Sequence, residues 1–216
     1  MTIRVLIADD QAMVRNGFRM ILSGEPDIEV VGEAADGEEA VRLATELRPD
    51  VTLMDIRMPG LDGIEATRLL AGRNVSDPLR VVVVTTYDSD ENVYTALRAG
   101  AIGFLLKDAK PPLLVDAVRT AVLGESLITP TVLARLLRQW SADAPHRPSA
   151  PAEPLTPREL DIVRAVTRGR TNAEIAAELT ISMATVKTHL ASAQRKVGAR
   201  NRTEIAIWAW ENDRMR

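Results

Sequence analysis

The 216-residue sequence predicts an α/β fold, a doubly wound, five-stranded parallel sheet, followed by a second, smaller all-α domain. Short runs rich in Val, Ile and Leu alternate with stretches of helical periodicity through the first half of the chain. Strands and helices that alternate in this way favour a parallel sheet with right-handed crossover connections. After residue 155 the pattern is helical throughout. The apolar content of 46% is sufficient for a sizeable core.

The strand-like runs are nearly continuous in apolar residues, as expected for strands that are buried on both faces of a sheet. The five predicted strands are residues 3–8, 28–34, 51–55, 81–85 and 103–106. The five helices that alternate with them are residues 12–23, 37–47, 62–71, 89–99 and 111–123. The second strand is expected at an edge of the sheet.

A further apolar helix is predicted over residues 130–140, and a Pro- and Ala-rich stretch follows it. That stretch, residues 141–154, has no periodic apolar face and is typical of an extended, semi-rigid linker. The last four predicted helices are residues 157–168, 172–179, 183–197 and 202–212. The expected domains are residues 1–124 and 155–216, joined by a connecting helix and linker over 125–154.

Composition excludes several classes of protein. The chain has no Cys, which excludes disulfides and thiolate metal sites. No apolar stretch approaches the roughly 20 residues that cross a bilayer, and acidic residues follow the first apolar run too soon for a signal peptide. We therefore expect a soluble, cytoplasmic protein without a membrane partner.

Charge is distributed unevenly along the chain. Residues 1–154 carry 16 basic and 23 acidic side chains, a formal charge of −7, whereas residues 155–216 carry 11 and 7, a formal charge of +4. A basic small domain beside an acidic larger one favours contact between the small domain and a polyanion such as DNA. A chance imbalance in a short segment is the ordinary alternative.

Four of the predicted strands end in polar residues of complementary chemistry. Asp9 and Asp10 follow the first strand, Asp55 ends the third, Thr85 ends the fourth and Lys107 follows the fifth. The carboxyl ends of parallel strands meet at one crevice, where ligands bind in open α/β sheets. Three carboxylates, a hydroxyl and an ammonium group at one crevice would bind Mg²⁺ and a phosphoryl group.

This constellation suits phosphoryl transfer. Asp55 can act as a nucleophile that forms an acyl phosphate, while the metal and Lys107 stabilise charge on the transferring oxygens and Thr85 hydrogen-bonds one of them. Taken singly, each residue has an ordinary role: Asp9 and Asp10 as helix caps, Asp55 as a loop acid, and Lys107 as a solvated surface lysine. Together, four strand ends with matching chemistry favour the functional interpretation.

The segments ADD, LMDIRMPGLDG, VTT and GFLLKD, with their spacing, resemble the flavodoxin-like receiver domain of two-component response regulators. The resemblance implies that a sensor histidine kinase phosphorylates Asp55. The Mg²⁺ ligands that it implies are Asp9, Asp10, Asp55 and the backbone carbonyl of Arg57. The phosphoryl-binding and switch residues that it implies are Thr85, Phe104 and Lys107. Asp108 stands where many receivers have a proline with a cis peptide bond, which leaves the geometry of this turn open.

The helical end of the chain has the pattern of a helix-turn-helix. Thr156 and Pro157 form a strong helix start, and Ser182 caps a helix whose apolar residues recur at a spacing of three to four. The inward positions of that helix are Val186, Leu190, Ala193 and Val197. The outward positions are Thr185, Lys187, Thr188, His189, Ser192 and Arg195. A short helix, a tight turn and a basic second helix are typical of DNA binding, and a protein-binding helical bundle is the alternative.

Residues 155–216 resemble the LuxR-type helix-turn-helix. The resemblance implies that the helix over 183–197 enters the major groove, where Lys187 and Thr188 approach base edges. Residues expected to contact or orient phosphates are Asn172, Ser182, Thr185 and His189. The last helix, with Ile205, Trp208 and Ala209, is expected either to form a dimer face or to close the core.

The two halves together resemble the NarL/FixJ class of transcriptional regulators. Phosphorylation of Asp55 would then switch homodimer formation and transcriptional control at double-stranded promoter DNA. An aspartyl phosphatase of the haloacid dehalogenase type is a rival, but it needs a second Asp at the position of Arg57. We therefore expect no enzyme activity beyond self-phosphorylation and dephosphorylation at Asp55. A regulator that ignores phosphorylation is the second rival.

Overall fold

The computed structural model describes residues 2–72, 74–86, 90–123 and 153–212. The chain divides into two compact units, Met1–Leu127 and Ile128–Arg216. The helix predicted over 130–140 and nearly all of the predicted linker lie outside the described residues. None of the helices in the described ranges is long and apolar enough to span a bilayer.

The first unit is built on a five-stranded parallel sheet, which confirms the predicted fold class. Its strands are β1 (Ile3–Ala8), β2 (Ile28–Ala34), β3 (Val51–Asp55), β4 (Val81–Thr85) and β5 (Gly103–Leu106). They lie in the order β2-β1-β3-β4-β5, so β2 is at an edge as predicted. The strand boundaries match those predicted from the sequence, because nearly continuous apolar runs bounded by turn residues define buried strands clearly.

Five helices flank this sheet and begin and end within one residue of the predicted limits. They are α1 (Ala12–Ser23), α2 (Gly37–Leu47), α3 (Gly63–Ala71), α4 (Asp90–Ala99) and α5 (Pro111–Val122). The α1 and α5 helices pack together over one face of the sheet, against alternate strand residues such as Ile7, Leu53 and Val84. The α3 helix contacts both α2 and α4. In doubly wound sheets that helices flank in this way, ligands bind at the carboxyl ends of the strands.

The second unit consists of four described helices, α6 (Pro157–Thr167), α7 (Asn172–Leu179), α8 (Met183–Val197) and α9 (Arg202–Glu211). Both α6 and α7 begin with a reciprocal capping box, formed by a Thr and the Glu three residues later. The α9 helix packs on α6 and α8, and its residues Ile205, Trp208 and Ala209 are buried. Of the two roles expected for the last helix, these three side chains therefore serve the core.

Candidate functional site

Three carboxylates converge at the carboxyl ends of β1 and β3. Ligand oxygens of Asp9, Asp10 and Asp55 all lie within 4.8 Å of one another. Asp9 and Asp55 are buried, with 1% and 3% of their surface exposed, and Asp10 faces solvent. The predicted gathering of these residues follows from strand register, because β1 and β3 are neighbours in the sheet.

The Lys107 ammonium group lies between two of these carboxylates. Its Nζ is 2.6 Å from Oδ2 of Asp9 and donates a hydrogen bond of 2.9 Å to Oδ2 of Asp55. Only 7% of the Lys107 side chain is exposed, so it is not a solvated surface lysine. One largely buried cation therefore balances part of the charge of three clustered carboxylates.

Burial and pairing shift the pKa values of both partners of this ion pair. Burial raises the pKa of Asp55 above its usual range, and the hydrogen bond from Lys107 offsets part of that effect. For Lys107, burial alone would lower the pKa, but hydrogen bonds to Asp55 and Asp9 outweigh burial and raise it. Lys107 is therefore an ammonium cation at neutral pH.

The turn between β1 and α1 is held by contacts to Asp9. The backbone N–H of Gln11 donates to Oδ1 of Asp9 at 2.9 Å, and Nη1 of Arg15 donates to the Asp9 carbonyl at 2.6 Å. The N-cap of α1 is Gln11, whose side chain makes no capping bond. Neither Asp9 nor Asp10 is the N-cap residue of α1, so the alternative role of these two acids as caps does not hold.

The residues expected to sense the phosphoryl group lie on β4 and β5. Thr85 is paired in register with Leu106, and Phe104 lies two residues before Leu106 on the same strand. Because side chains alternate along a strand, Thr85 and Phe104 share one face of the sheet. Both are buried. Among the described residues no peptide bond is cis, so the turn at Lys107 and Asp108 is trans.

The donor set of the crevice fits a hard divalent cation. Mg²⁺ takes oxygen ligands, usually one or two carboxylates with several waters, and the clustered carboxylates of Asp9, Asp10 and Asp55 offer such oxygens. Arg57, whose backbone carbonyl is the fourth expected ligand, lies two residues after Asp55 and is exposed between the buried residues Ile56 and Met58.

The second candidate site is the exposed face of α8. Ser182 caps the helix by accepting a hydrogen bond of 3.0 Å from the Thr185 N–H. The predicted inward residues Val186, Leu190 and Ala193 are buried, and Val197 is half-buried. Of the predicted outward residues, Lys187, Thr188 and Arg195 are exposed, while Thr185 and His189 are half-buried. Met183, at the start of α8, is exposed as well. Nothing in the sequence signals this exposure, because an apolar residue in a helix is usually expected to be buried in the core.

The structure corrects two predictions about this surface. Asn172 is only 4% exposed, and its Oδ1 accepts a hydrogen bond of 2.7 Å from Nη1 of Arg202 on α9, so it is not an exposed phosphate contact. Ser192 was expected to point outward, but its Oγ donates to Oε1 of Glu159 at 2.7 Å. Both partners lie at least 30 residues away in the chain, where local periodicity gives no signal.

Comparison with known families identifies both units. Residues 5–119 match the response regulator receiver domain, and residues 153–209 match the luxR family of bacterial regulatory proteins. The chain belongs to the response regulators of the NarL/LuxR class, which join a receiver to a LuxR-type helix-turn-helix. It is thus a two-component transcriptional regulator.

Two relatives match the chain over nearly their whole length. The chain is 45% identical over 214 residues to the transcriptional regulatory protein LiaR of Bacillus subtilis (strain 168), covering 97% of this chain and 98% of LiaR. It is 38% identical over 213 residues to the response regulator protein VraR of Staphylococcus aureus (strain NCTC 8325 / PS 47), covering 99% of each.

Two solved structures of response regulators resemble this one over nearly the whole chain. ChrA, from a heme-sensing two-component system, is 39% identical, covers 98% of both chains and gives a TM-score of 0.53. RcsB, solved as a complex with DNA, is 26% identical, covers 96% of this chain and 98% of its own, and gives a TM-score of 0.57.

Proposed function

We propose that transfer of a phosphoryl group from a sensor histidine kinase to Asp55 switches this regulator between two states of transcriptional activity. The observation that carries the proposal is the buried Asp55 carboxylate, bonded to Lys107 and clustered with two further carboxylates. Lys107 balances only part of the charge of three clustered carboxylates, which is costly, so the presence of this cluster at a strand end favours a binding role.

In the proposed reaction a carboxylate oxygen of Asp55 attacks the phosphorus of a kinase phosphohistidine. The new O–P bond forms as the N–P bond breaks, and the electron pair leaves with the imidazole nitrogen. Lys107 already lies 2.9 Å from the accepting carboxylate, where it can neutralise charge on the transferred oxygens. Mg²⁺, held by the three carboxylates and the Arg57 carbonyl, would supply further charge neutralisation when bound.

The proposed switch uses Thr85 and Phe104. A phosphoryl group on Asp55 would compete for Lys107 and attract the Thr85 hydroxyl, which ends the neighbouring strand β4. Phe104 lies on the same face of the adjoining strand and is in place to respond to a movement of Thr85. We infer that this two-state element drives homodimer formation.

The proposed DNA surface is the exposed side of α8. Lys187 and Thr188 would read base edges in the major groove, with Ser182, Thr185 and His189 at the phosphates. Asn172 is left out because its side chain is buried. The similarity of this chain to the DNA-bound RcsB structure supports the assignment. We assign residues 1–124 to the receiver, 125–154 to the connection and 155–216 to the DNA-binding domain.

The test is treatment of the full chain with acetyl phosphate and Mg²⁺, followed by intact mass and light scattering. Wild type should gain the mass of one phosphoryl group and dimerise, and Asp55→Asn should do neither. Asp77→Asn, an equal substitution at an exposed position of the same unit, should behave as wild type. A response of Asp55→Asn equal to that of wild type would show that control does not pass through Asp55.

A further inference from the structure

The first turn of α6 contacts the end of the first helix of the helix-turn-helix. Nη2 of Arg158 donates a hydrogen bond of 2.8 Å to the carbonyl of Leu179, the last residue of α7. The last carbonyls of a helix have no partner within it, and a cation there also complements the helix dipole. Arg158 therefore holds the end of α7.

The next residue of α6 holds the second helix. Glu159 is 3% exposed, and its Oε1 accepts from Oγ of Ser192 at 2.7 Å, while Oε2 accepts from Nζ of Lys196 at 2.8 Å. Ser192 and Lys196 lie about 140° and about 180° around α8 from Lys187, given ~100° per residue. Glu159 thus binds α8 through Ser192 and Lys196, on the side of the helix opposite the exposed Lys187.

The turn between α7 and α8 contains a residue in an uncommon backbone conformation. Thr180 adopts the left-handed conformation, with φ 54° and ψ 50°. A β-branched residue rarely adopts this conformation, because its Cβ is crowded by the backbone. Two local hydrogen bonds close this turn, from the Thr180 N–H to the Ala177 carbonyl at 3.3 Å and from the Ile181 N–H to the Ala176 carbonyl at 3.0 Å. The Arg158 bond to Leu179 is immediately beside them and adds a contact from α6.

We propose that Arg158 and Glu159 act as a positioning pair, which fixes the orientation of α8 relative to α7 and thereby decides which bases Lys187 and Thr188 reach. The proposal rests on the DNA contacts proposed above and adds what sets their specificity. Neither Arg158 nor Glu159 needs to touch DNA. Loss of the pair should therefore reduce discrimination between DNA sequences more than it reduces attraction to phosphates.

The experiment uses the full chain treated with acetyl phosphate and Mg²⁺. Wild-type protein first selects a duplex from a random library, and fluorescence anisotropy then gives Kd for that duplex and for a scrambled one. For Arg158→Met and for Glu159→Gln, we expect the ratio of the two Kd values to fall about tenfold, the worth of one good base contact. Affinity for the scrambled duplex and its dependence on salt should stay within about twofold of wild type.

Two matched variants separate positioning from charge and from stability. Arg164→Ala removes the same charge from the same helix, at a residue whose nearest acidic partner is Asp161 at 3.6 Å, and should leave the ratio unchanged. Arg158→Lys keeps one donor and should restore most of the discrimination. Glu159→Gln loosens the α8 contact and decides the question if Arg158→Met does not fold.

The outcomes are distinct. The positioning role is overturned if Arg158→Met and Glu159→Gln keep the wild-type ratio of the two Kd values. It is also overturned if both variants lose affinity equally for the selected and the scrambled duplex. If wild type enriches no duplex at all, the proposed DNA surface is wrong and the positioning role fails with it. A selective fall in the ratio, together with rescue by Arg158→Lys, supports it.

Discussion

Lys107 contributes to the structure as well as to the proposed reaction. Its ammonium group contacts Asp9 and Asp55, both of which are buried, and the pKa of Lys107 is raised because these bonds outweigh burial. Removing one member of a buried ion pair is costly because the remaining charge keeps its desolvation penalty. In this crevice two carboxylates would be left facing each other.

We expect Lys107→Met to lower the free energy of unfolding by about 3 kcal/mol in the absence of Mg²⁺. Adding Asp55→Asn to the same chain should recover a large part of the loss, because one of the opposed carboxylates becomes neutral. Urea unfolding followed by circular dichroism measures both values. Losses that simply add in the double variant would contradict a charge origin.

The acidic crevice could be predicted from the sequence because the ends of the buried strands can be located there. Asp55 and Thr85 end buried apolar runs, and parallel neighbours bring such ends together. The buried position of Asn172 and the inward hydrogen bond of Ser192 could not be predicted, because their partners Arg202 and Glu159 lie on other helices. Local periodicity gives the face of a helix but not the polar side chains that reach it from elsewhere.

The α3 helix begins in direct contact with the end of strand β3. A Cβ added to Gly63, the first residue of α3, would lie 1.7 Å from the carbonyl oxygen of Asp55. The Gly63 N–H also donates to the Ile56 carbonyl at 2.9 Å. Only a glycine lets the helix start this close to the strand end, so Gly63 contributes to the position of Asp55.

Gly63→Ala should therefore force α3 away from β3, lower the free energy of unfolding by about 1–3 kcal/mol and slow phosphorylation of Asp55 by acetyl phosphate. Gly17→Ala is the matched control, because a Cβ there meets nothing within 4 Å. In the interior of α1 this control should stabilise the protein by about 0.5–1 kcal/mol. Equal effects of the two substitutions on phosphorylation would contradict the close approach.

The contact between α6 and α8 makes the second unit sensitive to acid. Burial tends to raise the pKa of Glu159, but hydrogen bonds from Lys196, Thr156 and Ser192 outweigh it and lower the pKa to about 2. The folded pKa lies below the ordinary value of 4.5, so the stabilisation is complete above pH 4.5. It is lost as the pH falls from 4.5 towards 2.

Glu159→Gln should remove this pH dependence together with at most about 3 kcal/mol of stability at neutral pH. All three Trp residues of the sequence come after residue 127, and Trp208 is buried among the helices of the second unit, so tryptophan fluorescence during urea unfolding follows that unit. The difference between wild type and variant should narrow between about pH 5 and about pH 3. A constant difference over that range would show that Glu159 is not held as a carboxylate.

At the scale of the whole molecule, an acidic protein confines its excess of basic charge to the unit that binds DNA. The chain carries a formal charge of −3, yet residues 155–216 alone carry +4. Several cations of this unit are already paired inside it, including Lys196 with Glu159 and Arg168 with Glu178. Among the residues that the structure describes, we therefore expect exposed cations such as Lys187 to contribute to the attraction to DNA.

Lys187→Ala therefore tests whether the exposed basic residue of α8 contacts a base or a phosphate. If Lys187 reads a base, the variant should lose about 1–3 kcal/mol on a selected duplex and little on a scrambled one. Arg80→Ala, an equal charge change at an exposed position of the receiver, should alter neither affinity. If Lys187 instead contacts a phosphate, both affinities fall together and the slope of log K against log salt becomes shallower by about 0.9. The salt series thus distinguishes a base-reading residue from a phosphate contact on the same helix.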